Sequence, residues 1–135
     1  MDDGWARQRR TAIGVRANLA NHAAARDAER AQLLINAFVQ QALADGPPPV
    51  AIRAISTSGT SLRTDLCGWY IKADRSIAVG TDGGYYQLIV FANLKDRLLG
   101  VHLLPSPPPL VVGRGGKDGE SGDLQDFLAR ALRPE

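Results

Sequence analysis

The side chains of this chain that suit proton transfer, nucleophilic attack or metal binding are few: His22, His102, Cys67 and the acids Asp118, Glu120, Asp123 and Asp126. Their spacing argues against each chemistry. A structural zinc site takes four ligands, mostly Cys and His, and the two histidines and one cysteine lie far apart in the sequence. Calcium loops set acids at alternate positions around a fixed glycine, a pattern that Asp118, Glu120 and Gly122 reproduce only in part. These acids fall in a loop and at a helix start, where negative charge complements the positive end of the helix dipole. No metal is expected. Cys67 follows a polar stretch and opens an apolar strand, which reads as a buried, inert thiol. His102 alternates with apolar neighbours in "VHLLP" and reads as a structural histidine.

The segment "GRGGKDGESGD" follows one element and precedes another, as phosphate loops do. A Walker loop needs Ser or Thr after its Gly-Lys, so that a hydroxyl can hold magnesium. Here Gly116-Lys117 is followed by Asp118, and Glu120 and Asp123 would repel a phosphate. The dinucleotide pattern fails as well, because Gly113 and Gly115 lack a third glycine at the required offset. Lys117 to Glu120 reads as a tight turn. The serines of "STSGTSLRTD" have no flanking Gly-x-Ser-x-Gly frame. No catalytic residue and no cofactor is assigned; an enzyme reading would place a small-molecule site at the glycine-rich loop and His102.

The 135 residues suit one domain, with 44% hydrophobic and 22% charged residues, as in ordinary folded chains. No apolar run approaches a membrane span, and a chain opening Met-Asp-Asp does not begin like a secretory signal, so a cytoplasmic location is expected. The net charge is +2, and the wealth of Ala, Gly, Pro and Arg fits a GC-rich bacterial source. Arg7, Arg10 and Arg16 share roughly one side of a helix, diluted by Asp2 and Asp3. They support a nucleic-acid accessory role weakly, because binders of nucleic acid concentrate charge on one face.

Residues 5–45 hold no proline and many helix formers. Ala31, Leu34, Ile35, Phe38 and Ala42 follow one helical face, widened by Leu33, Val39 and Leu43. Gly14 and "NLANH" leave open one long helix or two, and residues 1–16 read as a frayed arm or as one that reaches a partner chain or an acidic ligand. "ADGPPP" stops the helix. "VAIRAI" reads as a strand or an apolar linker, 56–65 as an exposed loop, and 113–122 as another. "DLQDFLARALR" reads as a helix capped by Asp123, with Leu124, Phe127, Leu128 and Ala131 facing inward.

Asp82-Gly83 between alternating runs predicts a two-residue hairpin turn. That register sets Val79 opposite Tyr86 and Ile77 opposite Leu88. A three-residue loop at Ala73-Asp74-Arg75, although arginine is a poor left-handed turn residue, sets Trp69 opposite Val79 and Ile71 opposite Ile77. One face of the meander is then Cys67, Trp69, Ile71, Ile77, Val79, Tyr86, Leu88 and Val90. The other carries Tyr70, Tyr85, Ile89 and Phe91 among Lys72, Gln87 and small residues, a mixture that suits a protein interface. A covering by the same chain is the alternative.

The expected fold is α+β: a long N-terminal helix, an antiparallel meander over about 66–91 extended by short strands near 100–104 and 109–113, and a C-terminal helix packed on the sheet. This order of elements resembles the plan of small secretion-chaperone-like domains. The resemblance is one of topology and implies a chaperone-like role. The expected function is a non-enzymatic protein-binding or assembly module, working as a homodimer.

Overall fold

The run of helix formers before "ADGPPP" yields one helix, α1, unbroken from Gly4 to Asp45. The computed structural model describes residues 4–112 and 122–133, with side chains described from residue 19 onward. Gly14 and the Asn18–His22 stretch do not split α1. Its core face is the expected stripe: Ala31, Ile35, Phe38, Val39 and Ala42 are buried and Leu34 partly so, while Leu33 and Leu43 face solvent. The amide of Gly46 closes the helix on the Ala42 carbonyl at 3.0 Å, and Pro47–Pro49 cannot continue it. No side chain from Leu19 to Arg30 is buried.

Five strands follow: β1 (Val50–Ser56), β2 (Ser61–Tyr70), β3 (Ile77–Gly80), β4 (Tyr85–Gln87) and β5 (Ile89–Val90). They form a mixed sheet in the order β4-β3-β2-β1-β5, with β1 and β5 parallel and the other pairs antiparallel. "VAIRAI" is thus a strand. The loop expected over 56–65 shrinks to a turn at Thr57–Thr60, held by the Gly59 amide on the Ser56 carbonyl at 2.8 Å. Ser61–Leu66 is strand because Leu62 and Leu66 alternate with polar residues and bury themselves. The ladder shifts register between Ala51 and Arg53. There Thr64 Oγ1 donates to the Ile52 carbonyl at 2.5 Å and accepts from the Leu66 amide at 3.1 Å, replacing ladder bonds that the irregularity removes.

The β2–β3 hairpin has the expected register, Trp69 opposite Val79. Arg75 adopts a φ of 59°, the one left-handed non-glycine residue among those described. The β3–β4 hairpin departs from expectation by one residue: Val79 faces Tyr85, Ala78 faces Tyr86 and Ile77 faces Gln87. Its loop is Thr81-Asp82-Gly83, closed by the Gly83 amide on the Gly80 carbonyl at 2.9 Å and by the Gly80 amide on the Gly84 carbonyl at 3.0 Å. Only Gly83, φ 83°, is left-handed here, so this is the three-residue loop with a bulge rather than a primed two-residue turn. Asp82 decides between the two: its carboxylate accepts from the Gly84 amide at 2.9 Å and from the Tyr86 hydroxyl at 2.6 Å. Gln32 of α1 reinforces the choice by donating to the Gly83 carbonyl at 2.7 Å.

The slip exchanges faces. Tyr85 joins Trp69, Ile71 and Val79 beneath α1 and the C-terminal helix, whereas Tyr86 and Leu88 join Ala78, Ile52, Ala54, Leu62 and Leu66 on the opposite side. That side is closed as well. β4 and β5 are two halves of one run that bends at Leu88, whose amide donates to Ser76 at 2.8 Å and whose carbonyl accepts from Ile55 at 2.7 Å. The sheet therefore curls until its two ends meet, with one apolar cluster inside the curl and one outside it.

After a short helix, α2 (Leu94–Leu99), the expected strand at 100–104 is reduced to a single bridge, Val101 to Thr64. Val111–Val112 (β6) pairs with Gly122–Asp123 (β7) in a separate ribbon instead of extending the main sheet. The prolines at 105 and 107–109 explain both, since proline cannot donate to a ladder. The C-terminal helix α3 (Leu124–Leu132) buries Leu124, Phe127 and Leu128, as expected. Asp123 sits at its N-cap in extended conformation but makes no side-chain capping bond.

Candidate functional site

After Leu88 the chain runs as the short edge strand β5 and then leaves the curled sheet, and between Ile89 and Leu104 most of its large apolar residues turn outward, Leu103 being the buried exception. Ile89, Phe91, Leu94, Leu98, Leu99 and Leu104 are each more than half exposed, Phe91 at 89%. The helix at the centre of this segment is nevertheless well made. Asn93 Oδ1 accepts from the Asp96 amide at 2.9 Å and Asp96 Oδ2 from the Asn93 amide at 3.1 Å, a complete capping box, and the Gly100 amide closes on the Asp96 carbonyl at 2.9 Å. Arg63 Nη2 ties the helix to β2 through the Leu98 carbonyl at 3.0 Å. No residue of α2 is buried. It is a fixed element that presents leucines outward.

Of the four residues expected to form an interface, Ile89 and Phe91 stand in this exposed strip. Tyr70 does not: it is half-buried against the cluster inside the curl, its hydroxyl accepting from the Arg53 amide at 2.9 Å and its ring lying under the Arg75 guanidinium at 5.1 Å. Tyr85 is buried beneath the helices, because the one-residue slip turns it to that face. The second sheet face is therefore covered within the chain, and the exposed apolar surface lies beyond it in sequence. Leu94, Leu98 and Leu99 were not legible as surface, since leucines at helical spacing normally mark a core face, and Leu104 stands in the segment expected to be a strand near 100–104. The one available signal was length: a helix closed by Gly100 after six residues is too short to span a core.

Among the described residues, His102 and Asp65 bring reactive chemistry together. His102 Nδ1 and Asp65 Oδ2 lie 2.5 Å apart, on side chains that are 73% and 58% exposed. The bond from His102 holds the Asp65 carboxyl below its ordinary range. Val101 brings them together through its amide on the Arg63 carbonyl at 2.8 Å. Among the described residues no other side chain completes the pair, and an Asp–His pair without a nucleophile or bound substrate orients a proton but breaks no bond. His102 is an exposed, paired residue rather than a strand-interior one. Cys67 is exposed rather than buried, because the helix layer covers its face only from Trp69 onward. Among the described residues, no group of three or more His, Cys, Asp or Glu could hold a metal ion. The glycine-rich segment at 113–121 and the side chains of Arg7, Arg10 and Arg16 lie outside the described residues. No described helix is long and apolar enough to cross a membrane. Comparison with protein-family models, with curated proteins and with solved structures finds no match for this chain.

Proposed function

We propose that this chain is a non-enzymatic protein-binding module that works as a homodimer, joined through the segment from Ile89 to Leu104. The observation that carries the reading is the exposure of six large apolar residues in that segment, three of them on a capped helix that buries none of its own. Soluble monomers seldom expose apolar surface in such concentration, and a patch of this kind marks a docking surface. A second copy is the occupant the charges favour. Lys95, Asp96 and Arg97 on α2 carry both signs of charge beside the leucines, and an isologous interface presents the same mixed patch from each copy. The unburied stretch of α1 from Leu19 to Arg30 adds a second surface on which an assembled pair can hold a further protein.

The test is the mass in solution at micromolar concentration, before and after placing a charge in the strip. The expected result is twice the 14.5 kDa of one chain for the native protein, and a single chain for Leu98→Asp and Phe91→Asp. Both side chains are exposed in the subunit, so circular dichroism should show the fold retained. A native protein that stays a single chain would overturn the proposal.

A further inference from the structure

A cleft of about 250 Å³ opens where β1, the β1–β2 turn and the loop after β2 converge. Arg53 and Ile55 of β1 line it, with Gly59 and Ser61 at the turn, Tyr70 at the end of β2 and Arg75 beyond it. No acid is among its described lining residues. We propose that this cleft binds the phosphate monoester group of a small molecule as its dianion, the phosphoryl oxygens between the Arg53 and Arg75 guanidinium groups.

Three features carry the assignment. The first is positive charge gathered without a counter-charge. Arg53 Nε donates to Ser61 Oγ at 2.6 Å, which leaves its terminal N–H groups for a ligand. The Arg75 guanidinium lies 5.1 Å from the Tyr70 ring centroid, a contact with the π-face that occupies no acceptor. The acids of the described ion pairs, Asp74 and Asp65, stand at Lys72 and His102 instead. Arg53 also faces Arg63 across the β1–β2 ladder, and like charges directly opposite cost stability, a cost that a bound anion offsets. The second is the backbone of Arg75. Its φ of 59° is left-handed, a conformation that glycine or asparagine takes at less cost. Such an outlier marks a position where function has chosen the residue, and there the arginine reaches over Tyr70 to the cleft. The third is the set of donors. The Tyr70 hydroxyl accepts from the Arg53 amide at 2.9 Å, and its own proton has no described acceptor. Two guanidinium forks and a phenol match the three oxygens and double charge of a phosphate monoester better than the two oxygens and single charge of a carboxylate. Open space stands where Gly59 would carry a Cβ, and half-buried Ile55 offers apolar contact, so the body of the ester has room beside its head.

The test is isothermal titration calorimetry with phenyl phosphate at low ionic strength and about pH 7.5, above the second phosphate pKa. Benzenesulfonate has the same tetrahedral head with one charge, benzoate has a planar one, and a phosphotyrosine peptide carries the same ester on a protein chain. The expected result is saturable binding of phenyl phosphate, weaker by about tenfold or more for benzenesulfonate and benzoate, with the peptide no tighter than the free ester. Arg53→Gln and Arg75→Gly should each lose about tenfold or more, the cost of removing a charged hydrogen-bond partner. Both side chains are exposed, and glycine suits the left-handed position, so melting temperatures should hold while binding falls. Arg30→Gln, on the exposed part of α1, should bind as the native protein does. No saturable binding of phenyl phosphate, equal binding of benzenesulfonate, tighter binding of the peptide, unchanged binding in either cleft variant, or an equal loss in Arg30→Gln would each overturn the proposal.

Discussion

Tyr85 and Tyr86, adjacent in sequence, are buried on opposite faces of the same curled sheet. Tyr85 lies under the helices. Tyr86 points into the curl and donates its hydroxyl to Asp82 Oδ2 at 2.6 Å. Burial pushes the hydroxyl pKa of both up to about 12, and for Tyr86 the bond to Asp82 and its charge add to the effect.

The alkaline limit of stability follows. A tyrosine whose folded pKa exceeds its unfolded value stabilises fully below the unfolded value near 10, and that contribution is lost as pH rises through about 12. Urea unfolding should therefore show stability falling across this window, by up to about 1.4 kcal/mol per pH unit for each tyrosine. Tyr86→Phe should make the fall shallower. A stability that is flat from pH 10 to 12 would contradict the burial of both rings.

The turn at Asp82 offers a test of register that does not depend on the core. In a primed two-residue turn Asp82 would be left-handed, and Asp82→Gly would stabilise the protein. In the observed loop it removes the acceptor of the Gly84 amide and of the Tyr86 hydroxyl. The expected outcome is a loss of about 1–2 kcal/mol, read from the thermal midpoint, and a gain would restore the two-residue turn.

The Asp65–His102 pair should be electrostatically visible and energetically modest. Its folded carboxyl pKa is depressed, chiefly by the bond from His102. Any stability it adds is present above the ordinary carboxylate value and is lost as pH falls through the depressed one. In His102→Ala, carboxyl titration followed by NMR should show the Asp65 pKa rising toward its ordinary value, while the melting temperature at pH 7 changes little, because exposed pairs contribute little. An unmoved Asp65 titration would mean that the pair does not form in solution.

Leu88 and Phe91, three residues apart, should behave as opposites. Leu88 is fully buried at the closure of the curl, and Leu88→Ala should cost about 2–5 kcal/mol through lost burial and the cavity left behind. Phe91→Ser should change the stability of the isolated subunit by less than about 0.5 kcal/mol while weakening self-association. Comparable losses of stability in both variants would place Phe91 in the core and remove it from the docking surface.

The α+β class, the core stripes of α1 and α3 and the β2–β3 register were all legible in the residues, because each rests on local periodicity: apolar side chains must share a face, and only one register lets them. Tertiary context decided the β3–β4 register. Asp82-Gly83 satisfies a two-residue turn locally, and Val79 can face either tyrosine with an apolar match. The choice fell to bonds formed only in the folded protein, from Gln32 of a distant helix to Gly83 and from Tyr86 to Asp82. That slip, together with the bend at Leu88 that joins Ser76 on one side to Ile55 on the other, sealed the face carrying Tyr70 and buried Tyr85 under the helices. It left the apolar surface to the residues that follow. Periodicity along a strand says which side chains share a face; which face another element covers is set by contacts distant in sequence, and no local pattern encodes them.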